Sequence, residues 1–111
     1  MGAQVIHVEV VGKDGEGLQR FYENVFGWEL DKNNPGGYGL VRQGGLTGGI
    51  GASQDGGAGH VTFYVDTADA AETLRKVEAA GGRIIMPPTE VAPETTIALF
   101  ADPEGHVVGL M

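Results

Sequence analysis

Two histidines and one carboxylate stand where this chain could do chemistry. His7 lies in Val5-Ile6-His7-Val8-Glu9-Val10-Val11 with Glu9 two residues on, and His60 opens His60-Val61-Thr62-Phe63-Tyr64-Val65 fifty-three positions later. Both runs have the β-branched and aromatic composition of strands. Residues i and i+2 of a strand share a face, so His7 and Glu9 point the same way and can touch, and Thr62 and Tyr64 share the face of His60. A neutral imidazole ligates divalent metals or moves protons near neutral pH. A carboxylate in an apolar strand is rarely buried unpaired, and a pocket raises its pKa toward that of a general base. Glu9 is therefore the candidate base, and His7 and His60 are candidate metal ligands. Structure alone can account for the same pattern, with the histidines bonded to pocket-wall neighbours and Glu9 paired to His7 or Arg42.

The elements that must hold these side chains follow from periodicity. Ile6, Val8 and Val10 make a wholly apolar face opposite His7 and Glu9. Leu18, Phe21, Tyr22, Val25 and Phe26 then recur at helical spacing and Gly27 ends the run, so a helix is expected to cover that apolar face. Extended pieces follow at 28–31, 38–42 and 47–52, separated by Asn33-Asn34-Pro35-Gly36-Gly37 and Gly44-Gly45. A polar link at 53–58 leads to the strand of His60. Thr67 is the expected N-cap of a second helix carrying Ala70, Leu74 and Val77 toward Gly81-Gly82, with acids early and Arg75-Lys76 late. Val61, Phe63 and Val65 should meet that helix. Strands at 83–86, 95–101 and 107–111 complete the half, with Pro87-Pro88 ending the first of them. Asp102-Pro103-Glu104-Gly105 has the preferences of a type I turn, which puts His106 at the surface.

Each half reads β-α-β-β-β. The fold class is thus α+β, a single domain of two tandem βαβββ modules at 1–53 and 58–111. Trp28, Tyr38 and Phe100 are candidate apolar walls of a ligand site, though ordinary core packing is the commoner use of such aromatics. The glycine pairs at 44–45, 48–49 and 56–57 precede no helix at phosphate-binding spacing. They suit tight turns and close approach of strands, and a glycine wall leaves room for a bulky ligand.

Several local stretches carry a family resemblance: His7-Val8-Glu9-Val10, Phe21-Tyr22-Glu23-Asn24-Val25-Phe26-Gly27-Trp28, the run His60 to Val65, Ala79-Ala80-Gly81-Gly82, and Phe100-Ala101-Asp102-Pro103-Glu104-Gly105. In this order the chain resembles the vicinal oxygen chelate superfamily, which includes glyoxalase I, bleomycin-resistance proteins and extradiol dioxygenases. The resemblance implies that each module curls a mixed sheet, covered by one helix, into a half-barrel. The two half-barrels would enclose a pocket, often at or beside a homodimer interface. Metal-using members place ligands on the first and last strands of each module, which match His7, Gly49, His60 and Gly109 here. Glutamate is typical at the two last-strand positions, and glycine offers no ligand. Two neutral imidazoles leave a divalent ion uncompensated and mostly hydrated, so a cofactor is not expected, although a divalent metal on His7 and His60 stays open.

Fifteen acidic and seven basic residues give a net charge of −8. That charge opposes a phosphate backbone and excludes nucleic acid as the expected partner. The chain has no cysteine, hence no disulfide framework or thiolate site. No apolar run approaches the roughly 18 residues of a membrane span and no secretory leader opens the chain, so the expectation is a cytoplasmic protein without a membrane partner. Three functions fit. The first is binding of a small organic molecule by His7, Glu9, Trp28, Tyr38, His60, Thr62, Tyr64 and Phe100 without a complete metal site. The second is a glyoxalase-type lyase or isomerase with metal on His7 and His60 and Glu9 as base. The third is a plain interaction domain. The absent carboxylates favour the first.

Overall fold

A computed structural model describes residues 2–111. The elements are β1 (Val5–Gly12), α1 (Gly15–Phe26), a short 3-10 turn (Pro35–Gly37), β2 (Gly39–Gln43), β3 (Leu46–Ala52), β4 (His60–Val65), α2 (Ala70–Ala79), β5 (Arg83–Ala92), β6 (Thr95–Ala101) and β7 (Val107–Leu110). The fold is α+β. Two compact units are present, one of residues 6–61 and the other of the segment through Val5 with Thr62–Met111.

In the first unit β1 pairs parallel with β3, and β2 pairs antiparallel with β3. Residues 28–31 do not form the expected strand: only an isolated bridge joins Asp31 to Leu40. Helix α1 starts at Asp14, whose carboxylate accepts from the Gly17 N–H, and stops at Gly27 in the left-handed conformation. Its seat differs from the one expected. The helix lies against β3, and it buries Gly15 and Gln19, while Phe21, Val25 and Phe26 are each more than half exposed. Two contacts explain the placement. A Cβ at Gly15 would collide with the Ala52 backbone, so the helix start sits directly on the end of β3. The Gln19 amide then donates to the carbonyls of Ile50 (2.7 Å) and Gly37 (2.9 Å). As a result Val8 is 41% exposed and Val61 78% exposed, whereas His7 and Glu9 on the other face are buried.

In the second unit the strand order is β4-β7-β6-β5, with β4 parallel to β7 and the remaining pairs antiparallel. Leu74, Ala98 and Leu110 form its buried core, packed by Val65, Ala70 and Phe100. Of the three residues expected under α2, Val65 joins this core, while Phe63 is 41% exposed. The helix cap is Asp69, which accepts from the Glu72 N–H. Thr67 instead bonds the Thr73 hydroxyl and the Asp69 N–H. Strand β5 runs through Pro87-Pro88 rather than ending there, because it is an edge strand and its register shifts across the prolines. The Asp102–Gly105 turn closes with a Gly105 N–H to Asp102 carbonyl bond of 2.9 Å. Among the described residues no helix is long and apolar enough to cross a membrane.

Candidate functional site

The parallel register of β1 and β3 sets His7 opposite Thr47 and Glu9 opposite Gly49. Because Gly49 has no side chain, the strip beside Glu9 is open to a ring from elsewhere, and Tyr38 supplies it. Tyr38 enters β2 from a turn in which Gly36 and Gly37 both have φ near +70°, a conformation that favours glycine. The Asn34 amide holds this turn by donating to the carbonyls of Asp31 and Tyr38, both at 2.8 Å. The Tyr38 ring lies over Gly49 and Gly51, and a Cβ at Gly49 would collide with its hydroxyl.

A continuous polar chain results. The Tyr38 hydroxyl donates to Glu9 Oε1 at 2.7 Å. Its oxygen therefore accepts from His7 Nε2–H at 2.9 Å, while His7 Nδ1 lies 2.6 Å from the Thr47 hydroxyl, which also reaches the Ile6 carbonyl at 3.4 Å. A neutral His7 accepts at Nδ1 from that hydroxyl. Burial pushes the His7 pKa down, a shift opposed by the negative charge of Glu9. Glu9 Oε2 pairs with His60 Nε2 at 2.7 Å. The His60 side chain is 24% exposed against 10% for Glu9, so of this pair His60 is the nearer to solvent.

Four of the residues expected from sequence, His7, Glu9, Tyr38 and His60, thus join directly. Trp28 does not belong to this group: it lines a recess on the opposite, helix-side face with Val8 and Val10. The remaining three lie in the second unit. Thr62 is buried and donates to the Val107 carbonyl at 2.6 Å. Tyr64 is buried against Gly109, where a Cβ would overlap its ring. Phe100 packs on the Leu74 core. Arg42 is not a partner of the Glu9 carboxylate in any of these bonds. His106 is exposed and bonds the Asp102 carboxylate at 3.0 Å. Sequence reasoning missed Thr47 and Gln19. A signal for Thr47 was its place between glycines on a strand that pairs with β1, and Gln19 had no signal beyond a polar residue beside the apolar stripe.

The donors present do not fit the metal centre implied by the family resemblance. Tyrosine rings fill the space at both last-strand glycines, and both His7 nitrogens are engaged. Among the described residues no group of three or more His, Asp or Glu is placed to hold an ion.

A family model described as the glyoxalase/bleomycin resistance protein/dioxygenase superfamily matches residues 4–110. CFP32 of Mycobacterium tuberculosis and M. bovis, provisionally named a glyoxylase, is 28% identical over 112 residues. That alignment takes in 93% of this chain and 43% of CFP32, so the chain spans less than half the length of these relatives. Among solved structures, one described as an NAD-dependent benzaldehyde dehydrogenase from Legionella pneumophila superposes with a TM-score of 0.68 at 19% identity, covering 94% of this chain and 95% of that one. A methylmalonyl-CoA epimerase from M. tuberculosis gives 0.66 at 14% identity, covering 96% and 85%. A superfamily member from Vibrio splendidus 12B01 gives 0.59 at 17%, covering 98% and 97%. At these identities the likeness is one of fold.

Proposed function

The chain belongs to the glyoxalase/bleomycin resistance protein/dioxygenase superfamily, and on that premise we propose that it binds a small organic molecule at the His60 end of the His7–Tyr38–Glu9–His60 chain, without the metal centre of metal-using members. The observation that carries this reading is the Tyr38 ring over Gly49, in the place where the resemblance puts a carboxylate ligand. The phenol gives His7 and Glu9 a bonding partner that a cation would otherwise supply. His60 is partly exposed and bonded to the buried Glu9 carboxylate, an imidazole backed by an acceptor, suited to a ligand bearing a hydroxyl or amine. The metal-dependent lyase or isomerase reading would need Tyr38 withdrawn and a carboxylate brought in from elsewhere. In this proposal the assembly is a homodimer, which would shield the open edges at β2 and β5; sedimentation measures its mass.

The test pairs two measurements on chelator-treated protein: calorimetric titration with Ni²⁺, Zn²⁺ and Mn²⁺, and a thermal-shift screen of small hydroxylated and amine-bearing molecules. The expected outcome is metal affinity weaker than about micromolar and ligand stabilisation that disappears in His60→Ala. Stoichiometric metal binding tighter than that, abolished by His7→Ala, would instead establish the metalloenzyme reading.

A further inference from the structure

On the opposite, helix-side face of the first unit lies a recess of about 260 Å³, lined by Val8, Val10, Val41, Leu46, Val61 and Trp28. Glu9 and Thr47 also border it, but their polar ends are turned away by the bonds to Tyr38, His60 and His7. Among the described residues no buried side-chain nitrogen or oxygen lacks a partner, so the recess offers an occupant apolar surface and no polar side chain in need of a bond. Its width is fixed from one side. Gln19 ties α1 to the Ile50 and Gly37 carbonyls, and Gly15 sits against the Ala52 backbone, so α1 cannot slide from β3 onto β1 without breaking both contacts. Trp28 extends that same helix wall, stacked on Tyr22 of α1 at an interplanar angle of 13° and on Phe26 at 29°.

We infer that this recess is a binding site for a neutral, planar aromatic molecule of about two fused rings. Size selects the occupant: an apolar cavity of about 150 Å³ holds benzene, and this one is larger by roughly a second ring. Wall chemistry selects neutrality, since a charged group would be desolvated there without a partner. The stacked ring wall selects planarity. The site is separate from the one proposed above, which lies across the sheet.

The test is titration of the full chain with naphthalene, followed through the methyl resonances of isotopically labelled valine. Saturable ring-current shifts at Val8, Val10 and Val41 are expected, with 2-naphthoate, which adds a carboxylate, at least about tenfold weaker. Val8→Trp, which fills the recess, should abolish the shifts. Val61→Asp, at a position exposed enough to leave folding intact, should weaken binding by a similar factor. The inference is overturned by an absence of saturable shifts up to the solubility limit, by shifts that both variants leave unchanged, or by equal binding of naphthoate. It is also overturned if sedimentation shows a dimer that Val61→Asp dissociates, because a second copy would then be what covers this face.

Discussion

Tyr38 holds its hydroxyl 2.9 Å from an imidazole nitrogen and 2.7 Å from a carboxylate oxygen, on a face where its neighbours are 6% and 9% exposed. Removing that oxygen takes a bonding partner from both His7 and Glu9 in a place water replaces poorly. Tyr38→Phe should therefore cost about 1–3 kcal/mol, read as a lowered urea midpoint at unchanged slope. An unchanged midpoint would show that the hydroxyl is not held as described. Gly49→Ala presses on the same ring from below. Overpacking of this kind costs about 1–3 kcal/mol, and because the Tyr38 ring is what the new methyl meets, Gly49→Ala should be much less damaging when Tyr38→Ala is already present. Additive single effects would break the assigned contact. That His7 and Glu9 share one face was legible from their spacing, but the phenol that bridges them was not, since it arrives from a turn twenty-nine residues after Glu9.

At the scale of the element, the lesson of α1 is that a hydrophobic stripe gives a helix its existence more securely than its seat. The stripe Leu18, Phe21, Tyr22, Val25, Phe26 marks the helix and Gly27 its end, and both are present. The buried side is nevertheless that of Gly15 and Gln19, because close backbone approach at a glycine and two amide bonds outweigh partial burial of aromatics at the rim. Gln19→Ala removes both bonds and leaves two carbonyls to find other donors, at a cost of about 1–3 kcal/mol. Faster amide hydrogen exchange in α1 than in β3 should accompany it. A Gln19→Ala chain as stable as wild type would return the anchoring role to the apolar stripe. Strand β5 teaches the converse: Pro87-Pro88 mark a real irregularity in pairing, yet an edge strand absorbs it by shifting register.

For the molecule as a whole, the lowered pKa of buried His7 makes stability depend on pH with a definite sign. The unfolded chain takes up a proton at this imidazole near its ordinary value of 6.5, while the folded chain does so only at lower pH. Between the two the unfolded state binds more protons, so stability from this residue is complete above about 6.5 and is lost as pH falls toward the folded value. Measured against His7→Gln, wild type should keep its full advantage in melting temperature near pH 8 and lose part of it by pH 5. A difference independent of pH would mean that His7 is not held neutral.

Alternating residues, turn chemistry and the two-fold repetition of a strand-helix-strand pattern determined the α+β class, the positions of both helices and most strands, and the family, because these depend on local periodicity that burial on one face enforces. The eighth expected strand, at 28–31, lay beyond that reach: composition alone does not secure a strand without a partner, and only Asp31 finds one. Sequence also brought His7, Glu9 and His60 forward as chemical residues. Only the tertiary structure decided what sits among them and which face carries the recess. Those outcomes rest on contacts between residues far apart in the chain, Tyr38 over Gly49 and Gln19 on Ile50, whose geometry no local pattern encodes.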